Sequence, residues 1–206
     1  MLVKILKSSA VIALLAAAMI PTPATTANAQ IFPGDWRPQR AQAANTTVYR
    51  VPVSDALNPG EIYVSHTDKR LYFVTARGQA LSYPIAAPRP EDVWQGVMRI
   101  TKKAVNPSWT PTAEMRRENP RLPAFVPGGH PQNPLGSHAL YLGTSLYRIH
   151  GTDAPWTIGR PVSRGCIRMH NAHVAHLYSR IPVGTRVTVM YRSLRPQRRQ
   201  RLSGLW

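Results

Sequence analysis

Between residues 61 and 102 the chain is cut into short alternating runs, 61–65 (EIYVS), 70–75 (RLYFVT), 79–85 (QALSYPI) and 97–102 (VMRITK). Each is rich in Val, Tyr, Ile or Phe, and the turn pairs Asp68-Lys69 and Arg77-Gly78 or Pro-rich pieces separate them. Short strands repeating at about ten residues predict an antiparallel sandwich or barrel. Proline reinforces this, because 20 Pro in 206 residues is about twice the ordinary frequency and breaks up any long helix. A hydrophobic content of 43% with five Trp and eight Tyr is enough for a core, which excludes a disordered basic chain.

The remaining pattern fits a mainly β, sandwich-like domain with one or two short helices. Residues 107–134 hold seven Pro, the pair Gly128-Gly129 and one helix candidate at 112–119, and form a long excursion over the sheet. Strand character resumes at 137–150, where Gly143-Thr144 predicts a hairpin turn. Residues 171–180 (NAHVAHLYSR) predict a helix with Asn171 as N-cap, and 185–191 (TRVTVMY) a last strand. On these signals the folded domain spans 56–192, preceded by a linker or arm at 30–55 and followed by a basic tail at 193–206.

A formal net charge of +17 first suggests nucleic acid. The N-terminus argues otherwise. Lys4 and Lys7, the short apolar run 11–20 and the Ala27-Asn28-Ala29 cleavage pattern make 1–29 a signal peptide, so the chain is expected to be exported to the periplasm. The charge after residue 29 is then about +15 (24 basic against 9 acidic residues), and ten Arg follow the last acid, Asp153. An anionic envelope surface, met through the Arg-rich tail, is the expected partner rather than nucleic acid.

Export gives the single cysteine, Cys166, a meaning. Its chain offers no disulfide partner, so it is either a buried small hydrophobe, half of an intermolecular disulfide, or a thiol kept for chemistry. The surrounding residues favour the last. His150-Gly151-Thr152 and Ser163-Arg164-Gly165-Cys166-Ile167-Arg168-Met169 are the densest run of special residues. A loop between them could bring the His150 imidazole to the sulfur, while Arg164 and Arg168 supply positive potential for a thiolate and an anionic substrate. Gly165 permits a tight backbone whose N–H groups, with that of Cys166, could face an oxyanion. His170, His173 and His176, imagined with Cys166 as a metal site, would drift around a helix and so read as a polar face; no metal is expected.

The run HGTDAPWTIGRPVSRGCIRM resembles the signature of the L,D-transpeptidase catalytic (YkuD) family, and the segments NPSWTP, PGG, NPLG and IPVGT resemble its Gram-negative envelope branch. The resemblance covers about 61–192. It implies a sandwich-like fold and covalent catalysis on peptidoglycan stem peptides, with Cys166 as nucleophile and His150 as general base and proton carrier. Ser163, Gly165 and Gly151 would support the oxyanion and the motif loop; Arg168, Arg164 and Thr152 would bind substrate or steady the loop. No metal or organic cofactor is implied. The acyl group would pass to an amine, on a second stem or on an outer-membrane protein, or to water. Two departures stand out: Arg164 occupies a position where many members have His, and His173 and His176 stand where the branch often has acids. The rival from another class is a non-catalytic, basic envelope-binding protein.

Overall fold

The computed structural model describes residues 47–195. The expected leader 1–29, most of the expected arm and residues 196–206 lie outside them. Eleven strands are described: β1 Tyr49–Pro52, β2 Ile62–Ser65, β3 Arg70–Ala76, β4 Gln79–Pro84, β5 Ala87–Pro88, β6 Gly96–Val105, β7 His138–Leu142, β8 Arg148–His150, β9 Pro161–Ser163, β10 Ile167–Arg168 and β11 Arg186–Met190. Two α-helices join them, α1 Ala113–Glu118 and α2 Asn171–Tyr178.

Nine strands form one sheet in the order β1-β4-β3-β2-β11-β6-β7-β8-β10, and β5 pairs with β9. The mainly β expectation holds, with a correction: the sheet is mixed, since β11 runs parallel to β2 and β10 parallel to β8. Parallel neighbours need long crossovers, and the segments before β10 and β11 supply them. Strand β6 makes the fold sandwich-like. Its first half pairs with β11 and its second with β7, with an irregularity in register between Ile100 and Lys102 that lets one strand serve both halves.

Alternation decides which residues fill the interior. Ile62, Val64, Leu71, Leu81 and Tyr83 face Leu140, Leu142, Ile149 and Ile167 in the main core, and α2 closes it with Val174 and Leu177. The opposite face of the same first strands is also buried: Tyr63, Tyr72, Val74 and Ala80 pack under Leu57 and Leu194.

Two boundaries move. Residues 49–52, expected in the arm, form β1 and pair antiparallel with β4, as an edge strand that tolerates Pro52. The first residues of the expected tail are docked: Ser193 Oγ and Leu194 N–H donate to the Asp68 carboxylate at 2.6 and 2.7 Å, with Leu194 buried.

The 107–134 excursion carries α1, capped by Thr112, whose hydroxyl accepts from Met115 N–H. Its base is closed by buried Asn133, whose Nδ2 donates to the carbonyls of Pro107 and Pro127 at 2.8 and 3.0 Å.

Candidate active site

Strands β8 and β10 build the site by register. Ile149 lies opposite Ile167 and His150 opposite Arg168. Both isoleucines are fully buried in the core, so the alternate positions, Arg148 and His150 on one strand and Cys166 and Arg168 on the other, leave from the opposite side. Cys166 and His150 are thereby diagonal neighbours on one face, the reach over which side chains of adjacent strands interact.

His150 is buried, and its Nδ1 meets the Gly151 carbonyl at 2.6 Å. A carbonyl only accepts, so Nδ1 carries the proton and Nε2 is the basic nitrogen of the neutral ring; the Leu135 backbone also interacts with the imidazole. Burial, with the charges of Arg168 and Arg148, holds the imidazole down to about 3, so it is neutral at physiological pH.

Cys166 is partly exposed. Its thiol lies 3.7 Å from the Leu146 carbonyl. Burial pushes the thiol above its ordinary value, while the Arg148 backbone N–H and the Arg148 and Arg168 guanidinium groups pull against that rise. Both groups therefore rest neutral, so any attack by the sulfur would be accompanied by transfer of its proton. Arg148 is a residue the sequence reading missed. Its place in an ordinary alternating strand gave no hint that backbone and side chain both meet the sulfur.

Of the two roles expected of Arg164, binding substrate or steadying the loop, its contacts fit the second. Its guanidinium forms an ion pair with Glu118 at the end of α1, with Nη1 to Oε1 at 2.6 Å. Its charge ties the excursion to the Cys166 loop, and the field at sulfur comes from Arg148 and Arg168. Arg168 also lies within electrostatic reach of Asp153.

The loops are locked from behind. Ser163 Oγ donates to the Cys166 carbonyl. Gly165 adopts φ +95°, and a side chain there would enter the Tyr147 ring. That ring stacks on Trp94 at 4.8 Å with 3° between planes, and Trp94 Nε1 donates to the Gly165 carbonyl at 2.8 Å. His66, in the turn that follows β2, is buried, its Nε2 3.0 Å from the Trp94 carbonyl.

On the His150 side the lock is Asn171. It is not the expected N-cap; His170 holds that position and makes no side-chain cap. Asn171 Oδ1 instead accepts from Ser137 N–H and Thr152 N–H, both at 3.1 Å, and its Nδ2 donates to the Thr152 carbonyl at 3.0 Å. A Cβ at Gly136 or Gly151 would collide with this side chain. Gly151 and buried Thr152 thus shape the loop after the base.

The histidines of α2 are not a polar face. His173 is buried edge-on against Tyr83, and His176 Nδ1 lies 2.9 Å from the Tyr83 hydroxyl. Among the described residues no group of three His, Cys, Asp or Glu is arranged to hold a metal ion.

Residues 59–189 match the model of the L,D-transpeptidase catalytic domain family, well over half of the chain. The chain belongs to this family. Among curated relatives, the probable L,D-transpeptidase ErfK/SrfK of Escherichia coli is 40% identical over 136 residues, 63% of this chain and 43% of that protein. A putative L,D-transpeptidase of Fuscovulum blasticum is 37% identical over 138 residues, 66% of this chain and 72% of that one. The chain thus spans less than half the length of the ErfK/SrfK relative. The solved catalytic domain of the Enterococcus faecium L,D-transpeptidase shares the fold, with a TM-score of 0.50 at 18% identity over 66% of this chain and 99% of that one. Within this L,D-transpeptidase domain the matched region ends at Val189, so the docked segment 192–195 follows it.

Proposed function

We propose that this chain is an exported cysteine L,D-transpeptidase acting on peptidoglycan stem peptides. The reading is carried by one observation: Cys166 and His150 leave the same side of the β8–β10 ladder, with Arg148 and Arg168 beside them, in a domain of this family. Export rests on the leader pattern of residues 1–29.

Stem peptides carry carboxylates, which Arg148 and Arg168 attract. The sulfur attacks the carbonyl carbon of the L-centre as its proton passes to Nε2 of His150. The resulting oxyanion faces the backbone N–H groups of Gly165 and Cys166. The imidazolium is held by its Nδ1–H bond to Gly151, but two guanidinium groups and burial disfavour its charge. It therefore gives up the proton readily, to the leaving nitrogen of the D-amino acid; the C–N bond breaks and a thioester remains. An amine acceptor then attacks the thioester, His150 takes its proton and returns it to the departing sulfur, and an amide forms. An amine on a second stem gives a cross-link, one on an outer-membrane protein gives attachment, and water in its place gives the carboxylic acid.

Incubation of the protein with purified tetrapeptide muropeptides, with and without an amine acceptor, followed by mass spectrometry, tests this. Release of the terminal D-amino acid with acceptor-dependent amide product is expected, and Cys166→Ala should give neither. Unchanged muropeptides with the wild-type chain would refute the assignment.

A further inference from the structure

On the sheet face turned away from the main core, Tyr49, Ser82 and Tyr72 lie in one row across β1, β4 and β3. Arg70, two residues before Tyr72, leaves from the same face, and its guanidinium donates to the Ser82 hydroxyl and carbonyl at 2.5 and 3.1 Å. Arg195 reaches this place from the docked C-terminal segment. Together with Arg50 and Val51 these residues line an open cavity of about 480 Å³, within the range of small-ligand sites. None of the catalytic-site residues lines it.

Its charge is unbalanced. Its lining residues include the arginines Arg50, Arg70 and Arg195 and no Asp or Glu. The nearby acid, Asp68, is already engaged: Oδ1 accepts from Ser193 and pairs with Arg195, and Oδ2 accepts from Leu194 N–H and the Tyr72 hydroxyl. The hydrogen bonds of Arg70 go to uncharged oxygens, and the acid within its electrostatic reach, Asp68, is shared with Arg195. Burial and the Arg195 charge accordingly hold Arg70 below the ordinary guanidinium range.

We infer that this cavity is a second binding site, for a carboxylate-bearing group of the peptidoglycan on which the catalytic site acts. The inference rests on the substrate class proposed above. A recess walled by Tyr49, Val51 and Tyr72 fits a carboxylate carried on a peptide or sugar, whereas a flat anionic membrane would not enter it. Stems repeat along a glycan strand, so a strand held here raises the effective concentration of its neighbours at Cys166.

The test uses the full chain carrying Cys166→Ala, sedimented with purified sacculi at low and raised salt. Arg50→Glu and, separately, Arg70→Gln should weaken binding about tenfold, and sacculi whose carboxylates have been amidated should bind wild type as weakly. Arg50 is exposed, so Arg50→Glu carries the test should Arg70→Gln lower the melting temperature. The inference is overturned if both variants melt normally and sediment like the parent, if amidated sacculi bind equally well, or if Arg50→Glu instead abolishes capture by phosphatidylglycerol vesicles. With Cys166 intact, Arg50→Glu should turn over soluble muropeptides at the wild-type rate. An inert wild-type chain would refute the enzymatic reading while leaving the sacculus measurement to decide the cavity.

Discussion

Trp94 Nε1 donates to the carbonyl of Gly165 at 2.8 Å, one residue before Cys166. The bond ties a segment more than seventy residues upstream to the turn that presents the sulfur, and the stacked Tyr147 ring fills the space a Gly165 side chain would need. Trp94→Phe keeps the stack and removes the donor. It should cost about 1 kcal/mol of stability in urea unfolding and lower kcat about tenfold, about 1.4 kcal/mol of lost positioning, with KM little changed. Gly165→Ala must leave its left-handed φ and displace Tyr147, so it should abolish turnover.

Asn171 makes the corresponding lock behind the base. Asn171→Ala leaves the Thr152 and Ser137 N–H groups without their acceptor and should destabilise the fold by about 2–3 kcal/mol. Asn171→Asp retains the accepting oxygen and loses the donor to Thr152, so it should recover part of that loss. Equal melting temperatures for Asn171→Ala and wild type would remove this role.

The resting state of the site predicts a pH profile. Burial raises the Cys166 thiol and lowers His150, so no thiolate–imidazolium pair is held at neutrality. The rate of alkylation by iodoacetamide should keep climbing with pH beyond the ordinary thiol value of 9.0. A plateau near pH 7 would mean a stabilised thiolate and contradict the arrangement.

His150 also sets a stability slope. Its folded value of about 3 lies below the ordinary 6.5, so as pH falls below about 6.5 the unfolded chain binds a proton that the folded chain excludes. Stability is full above that value and falls towards pH 3, by about 1.4 kcal/mol per pH unit from this group. His150→Gln should show a slope shallower by about that amount in urea unfolding between pH 6 and 4. Identical slopes would mean that the imidazole is not buried neutral.

The residues proposed to do chemistry by their own type stand out in the sequence. Cys166, His150, Gly165 and the long motif stand close together, and the strand runs that bury Ile149 and Ile167 follow simple alternation. The residues that work through tertiary position were not. Arg148 reads as an ordinary strand arginine, Trp94 sits in an irregular segment, and Asn171 precedes a helix and so looks like a cap until its partners are seen. For Arg164 the sequence left substrate binding and loop support open, because its partner, Glu118, lies 46 residues away in the Pro-rich excursion. Strand β1 was hidden by Pro52, which only an edge position tolerates. The second small core escaped notice because its covers, Leu57 and Leu194, are isolated in polar sequence.

Ser193 and Leu194 dock on Asp68 through two hydrogen bonds. Deletion of 196–206 should weaken salt-sensitive sedimentation with cell walls and leave stability and soluble turnover unchanged. Deletion from Ser193 should in addition lower the melting temperature, because it uncovers Tyr72 and removes two donors from Asp68.

The most direct test of the central claim is the intact mass of the protein after brief incubation with a tetrapeptide muropeptide and acid quench. The account predicts an adduct equal to the muropeptide less its terminal D-amino acid, removed by hydroxylamine and absent in Cys166→Ala. An adduct that persists in Cys166→Ala, or D-amino acid release without any wild-type adduct and undiminished in that variant, would contradict it.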